Sequence, residues 1–106
     1  MQRGEVFKFP SPRRARGREQ QGPRYGVILQ ADELLPLSTV MVAPTSTAAP
    51  ARSFRPEVEI GGTRTRVLVE QLGAVDRGRL GQSKGVLRRR ELDEVDRALA
   101  VVLGLA

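Results

Sequence analysis

The chemistry open to this chain is limited first by the side chains it lacks. Among its 106 residues there is no histidine and no cysteine. Disulfides, zinc sites built on these residues, thiol nucleophiles and histidine acid–base pairs are therefore excluded. Metal-assisted hydrolysis usually needs converging carboxylates, and the 12 acidic residues are scattered along the sequence. We expect no metal site and no cofactor, which leaves arginine and hydroxyl side chains to carry any reaction.

RNA is a substrate on which arginine and hydroxyl groups can act without histidine or metal. Its 2′-hydroxyl can attack the neighbouring phosphorus, so the protein only has to orient the phosphate and neutralise developing charge. The charge distribution also indicates a polyanionic partner. Residues 1–30 hold seven cations and two acids, whereas residues 31–106 hold eleven and ten. All but two of the 18 cations are arginines, the residue that binds phosphate in a bidentate manner.

The elements that must position these groups are short strands followed by one helix. Strands are predicted at residues 5–9, 24–30, 39–43, 56–60, 63–71 and 83–87, with a helical turn at 76–81 and a helix at 89–103. Gly61-Gly62 predicts a hairpin turn, and apolar residues recur at helical spacing from Leu92 to Val102. This order favours a single, mainly β domain over residues 1–106, a small antiparallel barrel with the helix packed on it. No apolar run is long enough for a membrane helix and no signal peptide is visible, so we expect a cytoplasmic protein without membrane contact.

The most basic segment lies between the first two strands. Residues 10–22 are rich in proline, glycine and arginine and are long for a loop in a compact domain, which favours a functional or mobile loop. We expect its arginines to contact RNA phosphates as a group. They are Arg13, Arg14, Arg16 and Arg18. The alternative is a disordered basic connector.

Several sequence blocks, in order, resemble the MazF/PemK-like toxins. The chain opens with Arg3-Gly4-Glu5-Val6, and residues 17–24 (GREQQGPR) are similar to the family's G-S-E-Q-x-G-x-R. Residues 27–32 (VILQAD) and 39–44 (TVMVAP) are similar to its V-V-V-Q-N-D and T-V-I-V-A-P strands. Further blocks at 56–60, 68–71, 75–76 and 79–80 follow in the same order, so the resemblance covers almost the whole chain.

The resemblance implies a fold, an activity and partners. The fold is an SH3-like barrel with a C-terminal helix, acting as a homodimer. The implied activity is ribosome-independent, metal-independent cleavage of single-stranded RNA at short sequences, through a 2′,3′-cyclic phosphate. RNA cleavage by toxins of this class inhibits translation and growth. A cognate acidic antitoxin inhibits the toxin. The apolar strand end at Leu68-Val69 and the helix stripe also favour a dimer, because they offer more apolar surface than a small barrel needs.

The family's motif arginine falls on Arg24, and its catalytic threonine, which follows A-P-x, falls on Ser46. The flanking Thr45 and Thr47 are alternatives for the catalytic hydroxyl under a shift of one residue, and otherwise line the substrate site. Glu19 is expected at the edge of that site. Tyr25 and Phe54 each have two possible roles. Their rings could stack on RNA bases or pack within the protein. For Glu70 the alternatives are a structural role within the chain and a contact in the dimer.

Two other functions fit the same composition. A basic β-barrel could bind nucleic acid without cleaving it, or the barrel and helix could serve only as an interaction surface. The feature that separates them from a ribonuclease is whether Arg24 and Ser46 approach each other in an open groove.

Overall fold

In the part of the chain that the structure describes, seven antiparallel strands form a curled half-barrel, and one helix follows them. The computed structural model describes residues 1–9 and 24–106. Within those ranges the strands are β1 (Glu5–Phe9), β2 (Arg24–Ile28), β3 (Thr39–Ser46), β4 (Glu57–Ile60), β5 (Thr63–Val67), β6 (Gly73–Asp76) and β7 (Ser83–Val86). Short 3₁₀ turns lie at Asp32–Leu34, Val69–Gln71 and Arg77–Arg79, and helix α1 spans Arg89–Val102. The predicted antiparallel barrel with a C-terminal helix is confirmed. No helix in the described part of the chain is long and apolar enough to cross a membrane.

Strand β3 lies at the centre of the sheet and pairs with three other strands. The strand order is β4-β5-β3-β2-β1-β7, with β6 also paired to β3. One edge of β3 binds β2 over Val42–Pro44, and the other edge binds β6 over Thr39–Val42 and then β5 at Thr45 and Ser46. The far end of β3 therefore lies between β2 and β5.

The prediction that Pro44 ends the third strand is wrong, because the missing N–H of Pro44 costs no ladder bond. Its carbonyl accepts a hydrogen bond from the Leu68 amide at 2.8 Å. In a strand the N–H and C=O of one residue face the same edge. The proline nitrogen therefore faces the point where β3 changes its partner from β6 to β5, a place where a strand can accept proline.

The predicted strand over residues 63–71 is also wrong beyond Val67. Leu68 leaves the extended conformation (φ −86°, ψ 77°), and the amides of Gln71 and Leu72 donate to the carbonyls of Leu68 and Val69. The chain thus turns once before it re-enters the sheet as β6, a strand that the sequence analysis missed. The Gly61-Gly62 hairpin is confirmed, since both glycines have positive φ as a tight two-residue turn requires.

The main core cluster is aliphatic and lies between the sheet and helix α1. The helix contributes the predicted stripe, with Val95 and Ala98 buried and Leu92, Leu99 and Val102 packed at its margin. A second, smaller cluster on the other side is built from Phe7, Ile28, Leu35, Val40 and Val42. Leu68 and Val69 are 6% and 0% exposed within the single chain. The argument that this strand end leaves surplus apolar surface for a dimer is therefore wrong.

Candidate functional site

Arg24 is the first residue of β2 and lies at the mouth of the arginine-rich segment. It pairs directly with Phe9, the last residue of β1, so the two residues that flank segment 10–23 are adjacent. Its side chain is half-buried, and its Nε atom is buried without a hydrogen-bond partner among the described residues. A buried guanidinium N–H that lacks a partner is costly unless a ligand or water satisfies it. Arg24 is thus built to receive an acceptor such as a phosphate oxygen.

Ser46 is the last residue of β3 and is half-buried. Its Oγ accepts a hydrogen bond from the Ala48 backbone N–H at 3.2 Å, so the hydroxyl also fixes the turn that follows the strand. The hydroxyl is thereby held at the strand end.

The sheet register brings Arg24 and Ser46 towards each other. β2 and β3 pair with Gly26 opposite Pro44 and Val27 opposite Ala43. Extrapolated by two residues beyond the observed pairs, that register would set Arg24 opposite Ser46, on the same face of the sheet. Directly opposed residues of an antiparallel pair have Cβ atoms about 5 Å apart. The pairing itself ends at Gly26, so the two side chains stand at the open end of the ladder.

Arg66 completes this face, and the sequence analysis missed it as a site residue. In β5 it is directly paired with Ser46, on the opposite side from β2. The alternation of Thr63–Val67 indicated an outward-facing side chain that pairs with the hairpin glutamates. That pairing is present: Arg64 Nη1 lies 3.3 Å and Arg66 Nη2 lies 3.9 Å from the Glu57 carboxylate. Only the β3–β5 register distinguishes the two arginines, and sequence periodicity cannot supply it.

Four further residues that were predicted to bind substrate or stack on bases have different environments. Thr45 faces the core and is only 3% exposed, so its predicted roles in the site are wrong: the pleat turns it away from Ser46. Thr47 directly follows β3, and its side chain is exposed and accessible to a substrate. Tyr25 is half-buried against the main core cluster, as expected of a packing residue. Phe54 also packs there, and the Arg55 guanidinium lies 5.5 Å from its ring centroid.

Five predicted substrate-binding residues lie outside the described residues. They are Arg13, Arg14, Arg16, Arg18 and Glu19. Their role stays a prediction from the sequence.

Glu70 is held by Arg55 within the chain. Arg55 Nε and Nη2 both donate to Glu70 Oε2, at 2.9 and 2.7 Å, and Arg55 Nη1 donates to the Pro50 carbonyl at 3.2 Å. Burial raises the pKa of the Glu70 carboxyl. The Arg55 hydrogen bonds, the backbone of Glu70 and the positive charge of Arg55 outweigh burial and hold that pKa below 4.5. Glu70 therefore stays ionised and anchors the loop between β3 and β4.

Metal ligands do not converge in the part of the chain that the structure describes, where no group of three acidic side chains could hold an ion. The polar side chains at the end of β3 are guanidinium and hydroxyl groups. Two arginines that flank a serine can bind a phosphate, orient it and stabilise added negative charge.

Comparison with known proteins gives consistent matches. The family model described as the PemK-like, MazF-like toxin of type II toxin–antitoxin systems matches residues 2–103. The Mycobacterium tuberculosis protein named "Putative toxin Rv3098A" is 39% identical over 104 residues, which are 97% of each chain.

Solved structures share the fold at low sequence identity. A mycobacterial endoribonuclease in complex with its cognate antitoxin has a TM-score of 0.79 at 17% identity, covering 100% of this chain and 97% of that one. The M. tuberculosis toxin MazF-mt6 has a TM-score of 0.75 at 18% identity, covering 98% and 99%. A MazE–MazF complex from Deinococcus radiodurans has a TM-score of 0.74 at 22% identity, covering 100% and 97%.

Proposed function

The chain belongs to the PemK-like, MazF-like toxins of type II toxin–antitoxin systems, and from this membership we propose that it is a metal-independent endoribonuclease. The proposed substrate is single-stranded RNA, cleaved in the cytoplasm so that translation and growth stop. The observation that carries the proposal is the placement of Arg24 and Ser46 at the open end of neighbouring strands, on one face of the sheet.

The proposed reaction draws its nucleophile from the RNA. The 2′-oxygen forms a bond to the adjacent phosphorus, the bond from phosphorus to the 5′-oxygen breaks, and the 2′-hydroxyl proton ends on the departing 5′-oxygen. The products are a 2′,3′-cyclic phosphate and a 5′-hydroxyl end. Arg24 would hold the scissile phosphate through its unsatisfied Nε and stabilise the charge of the pentacovalent transition state. The Ser46 hydroxyl, which lies on the neighbouring strand β3, would bind an oxygen of the same phosphate.

The proposed partners are a second copy of the chain and an acidic antitoxin. The net charge of +6 favours an acidic inhibitor that competes with RNA for the arginine surface. Apolar side chains are exposed at the C-terminal end of the chain, where Val101, Leu103 and Leu105 are 57%, 54% and 76% exposed. Such side chains support burial against another copy.

The test is cleavage of a single-stranded transcript by wild-type protein with excess EDTA, alongside Arg24→Ala. We expect cleavage in EDTA, cyclic phosphate ends, and a fall in kcat of roughly 10²–10³ in Arg24→Ala, the cost of one lost phosphate clamp in the transition state. Arg24 is the first residue of β2, where the pairing with β3 has already ended. The thermal unfolding of Arg24→Ala should therefore differ little from that of wild type. Chelator-sensitive cleavage restored by Mg²⁺ would refute the mechanism. RNA binding without cleavage by wild type would instead identify a non-catalytic nucleic-acid-binding module.

A further inference from the structure

Ser46 lies between two arginines, and the proposed mechanism uses only one of them. β2 sets Arg24 on one side of Ser46, and β5 sets Arg66 on the other. Neighbouring strands are 4.7–4.9 Å apart, so the backbones of Arg24 and Arg66 are separated by about 10 Å across the strand that carries Ser46. A single phosphate held at Arg24 and Ser46 leaves room at Arg66 for the next unit of the same RNA strand.

The contacts of the Arg66 guanidinium hold it in place but engage only some of its N–H donors. Its Nη1 donates to the Arg55 carbonyl at 3.4 Å, and its Nη2 lies 3.9 Å from Glu57, a long ion pair on a half-open surface. The side chain is 28% exposed. A guanidinium has five N–H donors, and these contacts engage only two of them. Arg66 therefore keeps donors for an anion.

The carbonyl that holds Arg66 belongs to a residue that is itself fixed. Arg55 donates twice to Glu70 and once to Pro50, so its position is set by three side-chain hydrogen bonds. The loop after β3 and the end of β5 are thereby tied to one point. Arg66 is oriented before any ligand arrives, which lowers the entropic cost of binding through it.

We propose that Arg66 is a substrate-binding residue that grips the phosphate next to the scissile one, and so fixes which bond of the RNA lies at Arg24 and Ser46. This inference rests on the proposed ribonuclease function. The flanking phosphate gains no charge during the reaction, so Arg66 binds ground state and transition state alike. Its loss should raise KM and leave kcat unchanged, whereas loss of Arg24 should lower kcat.

The chain contains a matched control in Arg64. It lies on the same strand and the same face, pairs with the same Glu57 and carries the same charge, but it is 82% exposed and two residues further from Ser46. Arg64→Gln and Arg66→Gln thus change the net charge equally. Any difference between them reports position rather than overall electrostatics.

The experiment begins with a short RNA that spans a bond cleaved by the wild type. KM and kcat are measured for wild type, Arg64→Gln, Arg66→Gln and Arg66→Lys, with thermal unfolding of each. We expect Arg66→Gln to raise KM about tenfold, as for one lost charged hydrogen bond, with Arg66→Lys between it and wild type and Arg64→Gln unchanged. Affinity for the same RNA with a 2′-deoxy nucleotide at the cleaved position should show a salt slope smaller by about 0.7 in Arg66→Gln only.

A second RNA locates the contact. A neutral methylphosphonate replaces the phosphate on either side of the scissile one. One of the two replacements should weaken wild-type binding about tenfold and leave Arg66→Gln binding unaffected. Equal effects in both proteins, or equal KM values for Arg64→Gln and Arg66→Gln, would overturn the role of Arg66 while the ribonuclease function stood. Failure of wild type to cleave would overturn the proposed function and this inference together.

Discussion

Replacing Arg55 should destabilise the fold more than any exposed arginine, because Arg55 compensates a carboxylate that is largely removed from water. The Arg55 and Glu70 side chains are only 19% and 26% exposed, and Glu70 Oε1 is buried without a hydrogen-bond partner among the described residues. In Arg55→Met, Glu70 loses two charged hydrogen bonds and keeps its desolvation cost. The Pro50 carbonyl loses its donor as well. We expect a loss of about 2–3 kcal/mol in the free energy of unfolding.

The pH dependence gives the same pair a second signature. Because the pKa of Glu70 is lowered on folding, the pair stabilises the protein above about pH 4.5, and this contribution is lost as pH falls through the lowered pKa. In Arg55→Met the lowering by Arg55 is absent and burial acts to raise that pKa. The stability difference between wild type and variant should therefore be full at pH 7 and shrink as the pH falls from the raised pKa of Glu70 in the variant towards its lowered pKa in wild type.

The assay is urea unfolding at pH 7 and at acidic pH, with Arg64→Met as control. At pH 7 the expected loss corresponds to a Tm lower by roughly 8–12 °C for a chain of about 100 residues. Arg64 is 82% exposed, so its replacement should cost under about 0.5 kcal/mol. The double variant Arg55→Met/Glu70→Leu should recover part of the loss, since no buried charge is left. An Arg55→Met protein within about 0.5 kcal/mol of wild type at pH 7 would refute this reasoning.

Three further predictions concern packing, charge and assembly. Gly26→Ala should lower stability by about 1–3 kcal/mol in thermal unfolding, because a Cβ there would lie 2.5 Å from Cγ1 of the buried Val42; an unchanged Tm would contradict the packing. Glu57→Gln should tighten RNA binding severalfold at low salt by releasing Arg66, whereas Glu59→Gln, which changes the charge equally but removes a carboxylate that lies opposite Arg64 and 3.6 Å from Arg88, should not; equal gains would indicate only net charge. Light scattering at micromolar concentration should give the mass of a dimer, and a monomer mass would contradict the proposed assembly.

The elements with a local signature could be predicted from the sequence almost to the residue. Helix α1 was expected at 89–103 and spans Arg89–Val102, because its apolar stripe has helical period and Gly104 follows it. The start of this helix carries Arg88, Arg89 and Arg90, a poor composition for a helix N-terminus. Glu91 offsets this composition by accepting from the Arg88 amide at 3.1 Å, within the helix start, and from the Glu59 amide at 2.8 Å. The contact with Glu59 joins distant segments, and no local pattern indicates it.

The errors arose where an apolar run or a proline had more than one structural solution. Val67, Leu68 and Val69 are all buried, and burial alone does not distinguish a strand from a strand that ends in a 3₁₀ turn. Ser46 was predicted to supply the catalytic hydroxyl, with Thr45 as an alternative under a shift of one residue, because both closely follow Ala43-Pro44. The pleat of β3 separates them, with Thr45 in the core and Ser46 on the face of Arg66.

Site residues on separate strands can be identified from sequence only when a motif already links them. Arg24 and Ser46 are candidates because both belong to the motifs of the resemblance, although about twenty residues separate them. Arg66 belongs to no such motif and reads, like Arg64, as one member of a charged hairpin face. Its distinction comes from the register between β3 and β5, which sets it opposite Ser46 and sets Arg64 beyond the end of that pairing. A carboxylate at Glu57 balances both arginines in the free protein, so neither looks unpaired. An RNA strand that lies along Ser46 would exchange the long Arg66–Glu57 contact for a phosphate while leaving Arg64 bound to Glu57, and this asymmetry is what the comparison of the two glutamine variants measures.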